Sequence, residues 1–194
     1  MDPRGEQVIR LLKDYPLYQL KVELKGSQPA IWRRFQVKAE TTLFKLHRVL
    51  QVVMGWHNYH LHEFRIGDLS FGEPGPELGL DFIDERKIKL TQMAPNGRLT
   101  FQYIYDFGDG WQHKVTVEKG VENETGIRYP TCIDGARACP PEDVGGISGY
   151  ASFLKAIQNR RHPEHRQYLV WIGGHFDSEA FDLEAVNRKL SRLR

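Results

Sequence analysis

Two segments near the start of the chain alternate apolar and polar residues, which is the pattern of half-buried β-strands. In the first, YQLKVELKG (18–26), every second residue is apolar. The second, IWRRFQVKA (31–39), has the same period, and the Gly-Ser-Gln-Pro sequence between them is typical of a turn. The two segments are therefore predicted to form a β-hairpin.

The next segment carries apolar residues at helical spacing. Thr41 or Thr42 can cap its N-terminus, and Gly55 lies where a helix commonly ends. Between them, apolar residues follow a period of about 3.6: Leu43, Leu46, Leu50, Val53 and Met54. This pattern predicts one amphipathic helix that packs across a sheet.

Three more strands are predicted in the middle of the chain. LHEFRIG (61–67) is the first. GRLTFQYIYDFG (97–108) and WQHKVTVEKG (111–120) are joined through an Asp-Gly pair, which favours a tight turn. Because 97–108 is apolar on both faces, we expect it to lie in the centre of the sheet.

The last third of the chain is predicted to be helical. One apolar stripe covers 150–157, Pro163 is suited to the first position of a second helix, and a last helix covers 181–193. Before them, 130–149 has little periodicity and is predicted to be a long loop.

The order of these elements predicts an α+β fold. We expect a mixed β-sheet with a crossing helix, a β-grasp-like start of hairpin, helix and strand, and a helical C-terminal third. Residues 1–16 are predicted to form a helical extension, and residues 17–194 are predicted to form a single domain.

Composition and charge exclude some classes of protein. The chain has 194 residues, 40% of them hydrophobic, and a formal net charge of +2. This charge is too small to indicate a nucleic-acid or membrane partner by itself. No apolar run reaches the roughly 18 residues of a membrane span, and the first residues lack the apolar core of a signal peptide. A cytoplasmic location is therefore expected.

Histidines are concentrated in MGWHNYHLHEF (54–64). If this stretch ends in a strand, His60 and His62 face one side of it, and neutral imidazoles bind divalent metals. Candidates for a third ligand are His57, Asp106, Asp109 and His113. The predicted metal set is His60, His62 and His113. The alternative is a hydrogen-bonded polar cluster, including Glu63, that holds no metal.

The sequence YDFGDGW (105–111) offers two interpretations. In the first, Asp106 bonds the amides of its own turn and Trp111 anchors the following strand. In the second, Asp106 and Asp109 are metal ligands or acid–base groups beside His113.

The predicted loop 130–149 contains both cysteines. Cys132 and Cys139 are spaced more widely than in structural zinc sites, so buried thiols are favoured over metal ligands. Glu142 and Asp143 are suited to capping the next helix, bonding loop amides or accepting a basic partner. These four residues are the candidate interaction loop.

Arg33 lies on the face of its predicted strand whose other residues are apolar. A buried arginine calls for a carboxylate, and Asp106 or Glu63 is the predicted partner. Alternatively, Arg33 and Arg34 are basic contacts for nucleic-acid phosphates, although no motif that reads bases accompanies them.

Several motifs occur together and in order: IWRRF (31–35), TLFKLH (42–47), QVVMGWHNYHLHEF (51–64), YDFGDGW with His113 (105–113), ACPPEDVGG then GY (138–150), WIGGHFDSEAFD (171–182) and VNRKL (186–190). Through them, the chain resembles the family named after an open reading frame of plasmid pRiA4b. The resemblance covers about residues 17–191 and implies a passenger protein of mobile elements. Some relatives carry a resolvase-like label, but no serine-recombinase signature occurs in this sequence. Relatives often have a third cysteine where this chain has Val144, which argues against a zinc site in the cysteine loop.

Three functions are consistent with these observations. The favoured one is a cytosolic binding or interaction module with a protein or nucleic-acid partner, whose surface joins the HxHE, YDFGDGW and PPED segments. The second is a metal-dependent hydrolase or nuclease that uses a divalent metal, held or assisted by His60, His62, Asp106, Asp109 and His113. In the third, the motifs specify only the fold, and the tryptophans are core anchors.

Overall fold

A computed structural model describes residues 15–75 and 79–193. The predicted N-terminal extension lies outside these residues, except for its last two, and stays a prediction. The strands of the described part are β1 Leu17–Leu24, β2 Trp32–Lys38, β3 His62–Ile66, β4 Leu69–Gly72, β5 Ile83–Asp84, β6 Leu99–Tyr105, β7 Trp111–Val121 and β8 Thr131–Ala136. Its α-helices are α1 Leu43–Met54, α2 Leu90–Met93, α3 Gly146–Gln158, α4 His165–Trp171 and α5 Leu183–Leu190.

The eight strands form one sheet in the order β5-β4-β3-β6-β7-β1-β2-β8. All neighbours are antiparallel except β4 and β5, so the predicted mixed sheet of an α+β fold is confirmed. The β1–β2 hairpin forms as expected, with Leu20 opposite Phe35. The strand after the helix, β3, is separated from β1 by β6 and β7.

The central position of β6 follows from its composition. It pairs with β3 on one side and β7 on the other, and Tyr103, Ile104 and Tyr105 are all buried. A strand covered on both faces needs apolar side chains of both parities, as the sequence predicted.

Helix α1 begins and ends where its caps predict. The Thr42 side chain accepts a hydrogen bond from the backbone N–H of Lys45, and Gly55 takes the left-handed conformation with φ of 89°. The apolar stripe, including Leu46 and Leu50, shares one core with the sheet residues Leu20 and Phe35. The amphipathic pattern therefore correctly predicted a helix that packs across the sheet.

Part of the predicted loop 130–149 is a strand. Thr131–Ala136 forms β8, which pairs with β2 at the sheet edge. Its sequence gives little signal because an edge strand with small and polar residues lacks apolar alternation. The Asn187 side chain accepts from the N–H of Cys132 at 2.7 Å and donates to its carbonyl at 2.9 Å, which covers the outer edge.

The C-terminal helices differ in detail from the prediction. Helix α4 begins at His165, and Pro163 lies in the turn before it. Helix α5 begins at Leu183 after Asp182, whose side chain accepts from the N–H of Ala185. None of the helices in the described residues has the length and apolar character needed to cross a bilayer.

The burial of Arg33 was predicted correctly, but its predicted carboxylate partner was wrong. Its guanidinium donates to the carbonyls of Trp32, Val53, Ala136 and Arg137 at 2.6–2.9 Å. It also lies 4.2 Å from the Phe181 ring centroid. Carbonyl dipoles from three elements therefore take the place of a carboxylate, because β8 and the end of α1 bring them together.

Arg34 points to the other face of the sheet. It makes two hydrogen bonds to Glu118, at 2.9 and 3.1 Å, and lies 3.6 Å from Asp134. Both predicted basic contacts are thus engaged inside the protein.

Arg33 and Arg34 allow a matched test of whether the buried arginine contributes more to stability than the partly exposed one. Replacing Arg33 with methionine (Arg33→Met) leaves four carbonyls, one buried and three half-buried, without this donor. It is expected to lower the free energy of unfolding by about 3 kcal/mol. Arg34→Met removes a half-exposed ion pair and is expected to cost about 1 kcal/mol or less. Urea unfolding of both variants measures this, and equal losses would contradict the account.

Candidate functional site

Three loops meet at one end of the sheet, and together they form what we call the loop junction: residues 55–61, 106–110 and 140–145. The first two are brought together by the pairing of β3 with β6, and the N–H of Asp106 donates to the carbonyl of Leu61 at 2.9 Å. The third is tied to the first by Trp56, whose indole N–H donates to the carbonyl of Pro140 at 3.0 Å.

Glu142 links the loops through its nearly buried carboxylate. It accepts from the hydroxyl of Tyr105 at 2.6 Å, from the backbone N–H of His57 at 3.3 Å and from His57 Nδ1 at 3.1 Å. The Tyr105 oxygen in turn accepts from the N–H of Tyr59 at 3.0 Å. Burial and the bond to Glu142 raise the pKa of Tyr105, so the phenol stays protonated and donates.

The turn 106–110 is fixed by its own aspartates. Asp106 adopts φ of 57°, a conformation that aspartate tolerates better than most residues, and its Oδ1 accepts from the N–H groups of Gly108 and Asp109. Asp109 Oδ2 accepts from the N–H of Gly145 at 3.0 Å. A side chain at Gly146 would lie 2.5 Å from the carbonyl oxygen of Asp109, so only glycine allows this close approach.

His60 faces two carboxylates in the loop junction. Its Nε2 lies 3.0 Å from Asp143 Oδ1 and 3.6 Å from Asp106 Oδ2. Within the described residues, these three are the one group of histidine, cysteine or acidic side chains whose ligand atoms all lie within 4.8 Å of one another. The Nε2 atom is shielded from solvent, although the His60 side chain as a whole is 29% exposed, and within the described residues it makes no hydrogen bond.

The other two histidines of the predicted metal set lie elsewhere. His62 Nε2 is 2.8 Å from the buried Glu85 carboxylate, and the imidazole stacks on His47 with centroids 3.5 Å apart. His113 is buried in the core, where Nδ1 donates to the carbonyl of Tyr103 at 3.1 Å. The expected strand alternation does not extend to His60, because β3 begins only at His62.

A closed ring of hydrogen bonds that includes Asn58 of the loop junction was not predicted from the sequence. Gln51 donates to the Tyr103 oxygen at 2.9 Å, His47 Nδ1 lies 2.8 Å from that oxygen, and Nε2 lies 2.6 Å from Asn58 Oδ1. The N–H of Asn58 closes the ring on Gln51 Oε1. Because Asn58 Oδ1 only accepts, His47 carries its proton on Nε2 and accepts from Tyr103. The sequence feature that could have indicated this ring was His47 itself, a polar residue beside the apolar stripe of α1.

Several predicted site residues are part of the scaffold. Glu63 accepts from Arg65 of its own strand and from Ser70 of the neighbouring β4, and Trp111 is fully buried near Trp56. These residues hold the sheet together and do not reach the loop junction surface.

The candidate interaction loop divides into two parts. Cys132 lies in β8, whereas Cys139 Sγ is 3.7 Å from Met54 Sδ, and both are free thiols. Burial raises the pKa of each to about 11, so neither is a thiolate at neutral pH. Glu142 and Asp143 belong to the loop junction.

Comparisons with known proteins agree with one another. The model of a family described as "Plasmid pRiA4b ORF-3-like protein" matches residues 16–185. The chain is 39% identical over 177 residues to "Uncharacterized protein y4hQ" of Sinorhizobium fredii (strain NBRC 101917 / NGR234), covering 90% of this chain and 91% of that protein. The crystal structure of the protein of unknown function MM3350 from Methanosarcina mazei Go1 aligns with a TM-score of 0.78 and 39% identity, over 87% of this chain and 96% of that one.

The buried histidines predict a pH dependence of stability. Burial lowers the pKa of His47 to about 3 and that of His113 to about 4. Below about pH 6.5 the unfolded chain therefore binds protons that the folded chain excludes. As the pH is lowered further, the free energy of unfolding decreases by about 1.4 kcal/mol per pH unit for each histidine.

His47→Gln keeps a donor and an acceptor and removes this titration. Urea unfolding at about pH 5.5 and one pH unit lower measures how much the free energy of unfolding decreases over that unit. We expect this decrease to be smaller by about 1.4 kcal/mol in the variant than in the wild-type protein. Equal slopes in the two proteins would show that His47 is not buried in its neutral form.

Proposed function

This chain belongs to the plasmid pRiA4b ORF-3-like family, and on that premise we propose that it is a binding module whose contact surface is the loop junction. The names of the two relatives state no activity. The proposal therefore depends on the residues of this chain.

The observation that carries the proposal is exposed apolar surface on a set of loops that hydrogen-bond to one another. Tyr59 is 74% exposed, Leu61 44% and Phe107 43%, and all three belong to the loop junction. Their loops are held by hydrogen bonds: the N–H of Tyr59 donates to the Tyr105 oxygen, the Leu61 carbonyl accepts from the N–H of Asp106, and the Asp106 side chain bonds the turn that contains Phe107. Exposed apolar residues on pre-ordered loops are typical of protein interfaces, and tyrosine is enriched at their centres.

The partner that we propose is a protein segment with apolar side chains. A nucleic-acid partner has less support, because Arg33 and Arg34 are engaged inside the protein. The loop junction also contains four acidic residues, which repel phosphates: Asp106, Asp109, Glu142 and Asp143.

The two other functions also have less support. A hydrolase that uses all five predicted residues lacks free ligands, because His62, Asp109 and His113 are hydrogen-bonded elsewhere. A purely structural role accounts for Trp111 and His113 in the core, but it does not account for the exposure of Tyr59 and Phe107.

Selection of peptides from a random display library against the full chain tests the proposal. Peptides selected on the wild-type protein are expected to bind the double variant Tyr59→Ser, Phe107→Ser at least about tenfold more weakly, because the exposed aromatic anchors are lost. Val170→Ser is the matched control, since Val170 is 75% exposed but lies on α4. This control is expected to bind the peptides with wild-type affinity.

Affinities are measured by fluorescence polarisation, and unfolding midpoints establish that each variant is folded. The proposal is contradicted if no peptide distinguishes the wild-type protein from the folded double variant, or if Val170→Ser weakens binding as much as the double variant does.

A further inference from the structure

We propose that His60, Asp106 and Asp143 form a binding site for a divalent transition-metal cation in the loop junction. This inference goes beyond partner binding, because it concerns a ligand that the protein would bind by itself. It also differs from the set predicted from the sequence, since two carboxylates take the places of His62 and His113.

The spacing of the three ligand atoms fits one ion. Two ligands about 2.1 Å from a metal and about 90–110° apart lie about 3.0–3.4 Å from each other. His60 Nε2 is 3.0 Å from Asp143 Oδ1 and 3.6 Å from Asp106 Oδ2. All three atoms lie within 4.8 Å of one another, so small side-chain rotations would place them at coordination distance.

The state of His60 Nε2 is a second, independent observation. The Nε2 atom itself is shielded from solvent, while the side chain is 29% exposed, and it makes no hydrogen bond within the described residues, although a carboxylate oxygen lies 3.0 Å away. Buried polar atoms are nearly always satisfied. A nitrogen that lies beside two carboxylate oxygens without a hydrogen bond to either is suited to sharing an ion with them, because its lone pair is then available to the metal.

The local charge attracts a cation. Among the described residues, neither Asp106 nor Asp143 makes a salt bridge with a lysine or arginine, and His60 is the one basic side chain within 4 Å of them. Two carboxylates share a single imidazole, so a divalent ion would offset the excess negative charge.

The supporting contacts hold the ligands in place without using the atoms that would bind the ion. Asp106 Oδ1 is occupied by the amides of Gly108 and Asp109, which leaves Oδ2 toward His60. Asp143 follows Glu142, whose carboxylate is fixed by His57 and Tyr105.

The ligand types select the class of ion. One imidazole and two carboxylates suit Mn²⁺, Co²⁺ or Zn²⁺ better than Ca²⁺, which prefers six to eight oxygens. The Asp143 side chain is 65% exposed, so the ion would keep open positions toward solvent. Those positions would hold water or an oxygen ligand.

Isothermal titration calorimetry of Mn²⁺ and Zn²⁺ into the tag-free full chain tests the site. We expect the wild-type protein to bind about one ion per chain. His60→Ala and Asp143→Asn are expected to weaken binding at least about tenfold. The matched controls, His175→Ala and Asp134→Asn, remove an exposed imidazole and an exposed carboxylate outside the junction. Both are expected to bind as the wild type does.

Two results would overturn the inference: no binding of either ion to the wild-type protein at millimolar concentration, or wild-type affinity in both His60→Ala and Asp143→Asn. Because Asp143 is exposed, its variant is expected to fold even if His60→Ala does not. The peptide selection is carried out with a chelator present and the titration with no peptide, so failure of one proposal is distinguishable from failure of the other.

Discussion

The geometry of the loop junction depends on one nearly buried carboxylate, that of Glu142. Glu142 accepts hydrogen bonds from His57 and Tyr105, and through the Tyr105 oxygen it also holds the backbone of Tyr59. Charged acceptors make stronger hydrogen bonds than neutral ones, most of all where water is excluded. These bonds hold segments from three distant parts of the sequence in one place, so Tyr59, His60 and Asp143 are positioned before any ligand arrives.

The rest of the fold brings these loops within reach of Glu142. The pairing of β3 with β6 brings 55–61 next to 106–110, and the Arg33 guanidinium ties the end of α1 to the segment that follows β8. That segment leads directly to Pro140 and Glu142. A buried arginine satisfied by carbonyls therefore helps to position the site, although it touches no part of it.

The sequence predicted those features of the fold that depend on local pattern. Alternation located β1 and β2, the Thr42 and Gly55 caps bounded α1, and apolar residues of both parities placed β6 at the centre. Features that depend on distant partners were missed or misplaced. β8 exists because β2 offers it an edge, and Arg33 is satisfied by carbonyls whose positions are set by tertiary packing.

The candidate site was likewise predicted only as far as local sequence pattern allowed. His60, Asp106 and Asp143 were each singled out, but spacing along the chain favoured His62 and His113 as the companions of His60. The alternation rule needs a strand, and β3 starts two residues too late for it to hold. Asp143 reaches His60 from more than 80 positions away along the chain, which no local pattern encodes. The closed ring of hydrogen bonds around His47 likewise joins side chains from α1, a loop and β6.

The central claim is that the three loops form one pre-ordered unit held by Glu142, and hydrogen–deuterium exchange of Glu142→Ala tests it most directly. The account predicts that amides in 55–61, 106–110 and 140–145 exchange faster together in this variant, whereas Glu118→Ala, which removes a half-buried carboxylate on β7, leaves all three unchanged. Faster exchange confined to 140–145 would contradict it, because the other two loops would then be ordered without Glu142.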